Sequence, residues 1–76
     1  MRVYAEMMGF SAENTGSENS KILNGILRKY DEVAVFEKVT YKIAETIEIR
    51  SNQGLLFAED VLLKREKSEQ EQILMQ

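Results

Sequence analysis

The chain has 76 residues, 13 acidic and 10 basic side chains, a formal net charge of −3, and no cysteine, histidine or proline. A chain of this length is one domain with a small core, burying only roughly 60% of the surface its unfolded form exposes, and without cysteine no disulfide framework reinforces it. The mild charge does not define a nucleic-acid scavenger, the missing histidine removes the commonest acid–base group near neutral pH, and no apolar run reaches the roughly 20 residues that cross a bilayer.

At the start, Val3, Ala5 and Met7 alternate with Tyr4, Met8 and Phe10. A segment apolar on both sides predicts a strand in the middle of a sheet or beneath a helix; the competing reading is a short helix ended by Gly9. Residues 11–20 are polar and punctuated by Asn14, Gly16 and Asn19, which predicts a solvated loop crossing from strand to helix. In the next segment Ile22, Leu23, Ile26, Leu27 and Tyr30 form one helical stripe. Ser17, Asn19 and Ser20 each suit its N-cap, and Arg28 and Lys29 complement the dipole at its end. Asn24-Gly25 is a turn signal, but the stripe crosses it unbroken. The helix is therefore kept, and Gly25 is expected where it approaches the sheet closely.

Over residues 33–63 the large apolar residues Val33, Val35, Val39, Tyr41, Ile43, Ile47, Ile49, Leu55, Phe57, Val61 and Leu63 all hold odd positions, the period of a half-buried sheet. Glu37 and Glu45 interrupt that register and mark a bend, a strand end or a charged edge. A two-residue hairpin would exchange the parity between its strands, yet the parity is constant. One long bent strand, or two strands joined by an odd-length connection near Glu45, satisfies it. Ser51-Asn52-Gln53-Gly54 predicts a three-residue hairpin loop with Gly54 in the left-handed position, pairing Ile49 with Phe57 and Ile43 with Leu63. Glu59-Asp60 suits a helix start. Residues 64–76, rich in Lys, Arg, Glu and Gln with Ile73, Leu74 and Met75 near their end, predict a polar C-terminal helix or a partly disordered tail.

These elements predict an α+β fold: a small antiparallel β-sheet with one amphipathic helix packed on one face and a polar C-terminal helix, in β-α-β-β-α order, with residues 1–63 as the single core domain. No G-x-S-x-G elbow is present, and the glycines at 9, 16, 25 and 54 form no phosphate loop. The carboxylate pairs Asp31-Glu32 and Glu59-Asp60 are better explained as helix starts or solvated groups than as a metal or acid–base site. No catalytic residue, metal ligand or cofactor is therefore expected. The expected function is a small non-enzymatic protein-binding or regulatory module, acting as a homodimer or accessory subunit through a sheet edge or through Ile73, Leu74 and Met75. The alternative is nucleic-acid binding through Arg28 and Lys29 on the helix with Lys38, Lys42 and Arg50 on the even-numbered side of the strands. Neither reading involves a membrane. The lack of cysteine and of an apolar leader points to the cytoplasm.

Overall fold

The computed structural model describes residues 2–66. Strand β1 (Arg2–Tyr4) leads into one 3-10 turn (Ala5–Met8), and helix α1 (Gly16–Leu27) follows. Strands β2 (Glu32–Val35), β3 (Thr40–Ile43), β4 (Gly54–Phe57) and β5 (Leu62–Arg65) come after it. Both N-terminal readings hold in part: the strand stops at Tyr4, and Gly9, at φ 103°, ends the helical turn. That φ suits a residue without Cβ.

The expected antiparallel sheet does not form. All strand pairs are parallel, in a three-stranded sheet β1-β2-β4 and a two-stranded sheet β3-β5. The reason is a constant offset: Glu32 pairs with Gly54 and Thr40 with Leu62, in each case 22 positions on. The bent unit β2–β3 thus has a second bent unit, β4–β5, running beside it in the same direction. Hydrogen bonds carry the pairing past the strand ends, from the Ala58 amide to the Val35 carbonyl (2.9 Å), Leu62 to Val39 (3.2 Å) and Glu66 to Ile43 (2.8 Å). An even offset sets odd positions beside odd positions, so the apolar register persists with no hairpin. Ser51-Asn52 does form a turn, but Gly54 is not at positive φ, and the turn delivers the chain to the start of β2 instead of reversing it along β3. Glu59 and Asp60 start no helix; they form a turn with Asp60 at φ 69°, and β5 follows. α1 is thus the one α-helix among the described residues, and most of the expected C-terminal helix, residues 67–76, lies outside them.

The core gathers Ala5, Phe10, Leu23, Ile26, Leu27, Val33, Val35 and Tyr41, with Val3, Ile43, Ile47, Leu55 and Val61 packed around it. α1 supplies the helical stripe that was expected, but its cap is Thr15, in a reciprocal box with Glu18. Asn19 and Ser20, two of the residues that suited the cap, are buried and dock the helix instead. The Asn19 amide group donates to the Ser11 and Lys42 carbonyls (2.9 and 3.1 Å) and accepts from the Ser11 amide and the Asn14 side chain (3.2 and 3.0 Å). Ser20 Oγ donates to the Gly16 carbonyl (2.7 Å) and accepts from the Ala44 and Glu45 amides (both 2.9 Å). Asn24 donates to the Thr46 carbonyl (3.0 Å) and accepts from the Glu48 amide (2.9 Å). Ser20 and Asn24 thus satisfy backbone groups of Ala44, Glu45, Thr46 and Glu48, in a segment that runs along the helix and joins no sheet. At the other end of α1 the Gln53 carboxamide donates to the Leu27 and Tyr30 carbonyls, groups a helix terminus leaves open.

The close approach expected at Gly25 occurs at Gly16. A Cβ on Gly25 meets nothing within 4 Å, whereas one on Gly16 would lie 2.9 Å from Glu66 Cβ and 3.0 Å from the Ala44 amide nitrogen and the Ile43 carbonyl carbon. Gly16→Ala is therefore expected to destabilise the fold by about 1–3 kcal/mol through crowding against backbone. Gly25→Ala, in open space, should stabilise it by about 0.5–1 kcal/mol through helix propensity. Urea unfolding of both variants measures the two opposite signs.

Candidate functional site

In β1, β2 and β4 the odd positions face α1, which sends the even positions Arg2, Tyr4, Glu32, Ala34 and Leu56 to the opposite side. No helix covers that side among the described residues. Parallel sheets ordinarily have both faces covered, because their strands are apolar on both. Here the second face is an open depression of about 740 Å³ whose floor includes Ala34 and whose walls include Tyr4, Met7, Phe36, Leu56 and Phe57. Tyr4 and Phe36 meet edge to face, with ring centroids 5.2 Å apart, and Phe36 keeps 53% of its surface exposed. An ion pair between Arg2 and Glu32 (3.2 Å) borders this face; both side chains are open to solvent, which screens it, so it adds little to stability.

Glu6, in the 3-10 turn, also lines the depression. Its Oε2 accepts from the Phe36 and Glu37 amides (2.8 and 2.7 Å) and from the Tyr41 hydroxyl (3.0 Å). These donors belong to the bend between β2 and β3 and to β3 itself, so one carboxylate ties the 3-10 turn after β1 to both. Glu6 Oε1 is buried and has no hydrogen-bond partner among the described residues. Burial alone pushes the Glu6 pKa up, but the amides of Glu37, Glu6 and Phe36 and the Tyr41 hydroxyl outweigh it and hold the carboxyl below its ordinary value. The Tyr41 phenol is pushed well above its ordinary value by burial, by its bond to Glu6 and by the charges of Glu6 and Glu37. Tyr41 stacks on Phe10 at 4.4 Å, which joins this anchor to the core. The arrangement is an ionised acceptor set among apolar walls, suited to binding and holding shape.

The nucleic-acid set is divided. Arg28 and Arg50 border one shallow depression with Glu48, and the Arg50 guanidinium donates to the Leu27 carbonyl (3.2 Å). Lys38 sits in the β2–β3 bend. Lys42, on β3, has its carbonyl on Asn19, near the other end of α1 from Arg28; nine residues of helix separate these points by about 13 Å. Lys29 is exposed just beyond the helix. Lys42 does gain a neighbour that sequence reasoning did not pair with it, Lys64 on β5. Ile73, Leu74 and Met75 lie outside the described residues. Glu37 is exposed at the bend and Glu45 is exposed after β3, as a bend and a strand end require. Among the described residues no group of three or more carboxylates, histidines or cysteines is placed to hold a metal ion, and no helix is long and apolar enough to cross a membrane.

Sequence reasoning passed over Tyr4, Ala34 and Leu56 as site residues because attention went to the odd register. Their signal was present as apolar residues on even positions. Glu6 carried no signal, since its partners are 30 or more residues away. Comparison with known protein families, curated proteins and solved structures finds no match to this chain.

A folded-state pKa below the unfolded value means that Glu6 stabilises the fold fully above the ordinary carboxylate range, near pH 4.3, and that this contribution is lost as pH falls through the lowered folded value. Glu6→Gln should therefore cost on the order of 1 kcal/mol at neutral pH, with the gap to the wild-type chain closing as the solution is acidified below that range. Denaturant midpoints measured across acidic and neutral pH test both halves of the expectation.

Proposed function

We propose that this chain is a small non-enzymatic protein-binding module, working as a homodimer or accessory subunit, and that its contact surface is the uncovered side of the β1-β2-β4 sheet. The supporting observation is the contiguous apolar depression formed there by Tyr4, Met7, Ala34, Phe36, Leu56 and Phe57. An apolar surface of this kind on a chain with so small a core marks a place where another macromolecule is accommodated. Its aromatic residues are the types that anchor protein contacts, giving large area at low conformational cost. Glu6 and Glu37 at its border favour a partner segment that combines apolar side chains with a positive charge.

The test is selection of random peptides on the immobilised chain. Apolar, aromatic peptides carrying lysine or arginine are expected to enrich. Phe36→Ser and Tyr4→Ser, at exposed positions, should weaken them by about tenfold or more, the size of a lost aromatic anchor, with the circular dichroism spectrum unchanged. A library that yields no enrichment, or peptides indifferent to both substitutions, overturns the reading.

A further inference from the structure

The second bent unit ends both sheets. No strand lies beyond β4 or β5 among the described residues. The amides of Gly54, Ala58, Leu62 and Glu66 all donate toward the unit β2–β3. Because parallel ladders alternate, the backbone groups of the intervening Leu55, Phe57 and Leu63 point away from it, toward the free edge. Side chains on the same unit are left open as well, with Leu56, Phe57, Leu62 and Leu63 exposed by 42, 42, 61 and 45%. Natural proteins usually protect such an edge.

The sequence of this edge is a palindrome in character. From residue 55 to residue 63 it reads Leu-Leu-Phe-Ala-Glu-Asp-Val-Leu-Leu, so that about Glu59 the apolar pairs are Leu55 with Leu63, Leu56 with Leu62 and Phe57 with Val61, and only the pair at the turn, Ala58 with Asp60, differs in character. A twofold interface needs a surface complementary to itself, and this pattern provides one. We propose that a second copy of this chain adds antiparallel to the β4–β5 edge, with a twofold axis at Glu59 and Leu55 of each copy facing Leu63 of the other. This deepens the proposed function, since it rests on the reading that the chain acts through protein contact, and it names one partner and its register.

Several features agree with this register. Leu55 and Leu63 both direct backbone groups to the free edge, so each facing pair exchanges two hydrogen bonds. Positions that face each other share parity, so inward residues meet inward residues and outward Leu56 meets outward Leu62. Lys64 of the second copy faces Gly54, whose other neighbour is Glu32. With no side chain at Gly54, the lysine can extend over it toward that carboxylate, which adds charge complementarity at the end of the strand. Finally, β4 of one copy is joined to β5 of the other. The three-stranded and two-stranded sheets of each chain merge into two five-stranded sheets, which removes an isolated strand pair that is marginal by itself.

The native chain lacks cysteine, so introduced cysteines report the register without background. The expected results are a dimer mass by sedimentation equilibrium and rapid disulfide formation by Glu59→Cys across the axis, with Lys29→Cys remaining uncrosslinked. Leu62→Lys at its exposed position should raise the dimer dissociation constant by roughly tenfold or more while leaving the circular dichroism spectrum unchanged. A chain that stays monomeric at high micromolar concentration overturns the proposal. So does a dimer in which Glu59→Cys links no faster than Lys29→Cys. Slow amide exchange at Leu55 and Leu63 in a monomer, the result expected if residues 67–76 cover the edge, also overturns it. If peptides still require Phe36 and Tyr4 while the chain is monomeric, only the dimer fails; a crosslinked dimer that selects no peptides removes only the reading of the sheet face.

Discussion

Two bent stretches of chain, 22 positions apart, hydrogen-bond side by side in one direction, and the rest of the molecule is arranged to make that pairing possible. Parallel neighbours need a long return path, and a chain this short has little length to spend on it. Residues 44–53 provide the path by running along α1. A return segment of this kind carries backbone groups that no strand satisfies. Ser20 and Asn24 meet that need from the helix, Gln53 accepts from the Arg50 amide within the segment, and the Gly16–Ala44 contact holds the beginning of the path against the helix. The helix therefore does two jobs: its apolar stripe closes the core, and its polar residues replace a missing strand.

Much of this was legible, but not the direction of pairing. The odd register of apolar residues, the helix over Ile22, Leu23, Ile26 and Leu27, and a bend at Glu37 are local patterns and appear where the sequence places them. The constant parity was also visible, and it excluded a two-residue hairpin. What local pattern cannot distinguish is an odd-length hairpin from two parallel units with an even offset, because both preserve parity. A comparison of the chain with itself separates them: at the 22-residue offset Glu37 matches Glu59, Val39 matches Val61 and Lys42 matches Lys64. The Ser51-Asn52-Gln53-Gly54 signal was a true turn whose outcome was set by partners far away. Gln53 is held by the end of α1, and the Gly54 amide by the Asp31 carbonyl at 2.8 Å.

Glu6 explains why the candidate site lies where it does. A bend between two strands exposes amides that the ladders do not use, and one carboxylate from the first turn of the chain collects two of them together with a core tyrosine. The bend is thereby fixed beside β1, and Phe36 is held against Tyr4. The aromatic pair is a consequence of the same anchor that stabilises the fold. This is also why sequence reasoning missed it: a glutamate in a helix-forming context is unremarkable until residues some 30 positions away are brought to it.

The two bent units have equivalent backbone positions but unequal surroundings, and that inequality bears on how the molecule works. Val35 and Phe57 are register partners, as are Tyr41 and Leu63. Val35 and Tyr41 are fully buried, whereas Phe57 and Leu63 are more than 40% exposed. Tyr41 and Leu63 share the inward register, so their difference does not come from which way they face, whereas Phe57, at the end of β4, also borders the open depression. The difference arises because β2 has a strand on either side and β3 is covered by α1, while among the described residues the second unit has a neighbouring strand on one side only. Each large apolar side chain left open forgoes about 1.5–3 kcal/mol relative to full burial, a considerable part of what a domain this small can assemble. A sequence under no demand beyond its own folding would gain by placing polar residues at Phe57, Leu62 and Leu63. The proposed second copy, added along the β4–β5 edge, would cover these three side chains.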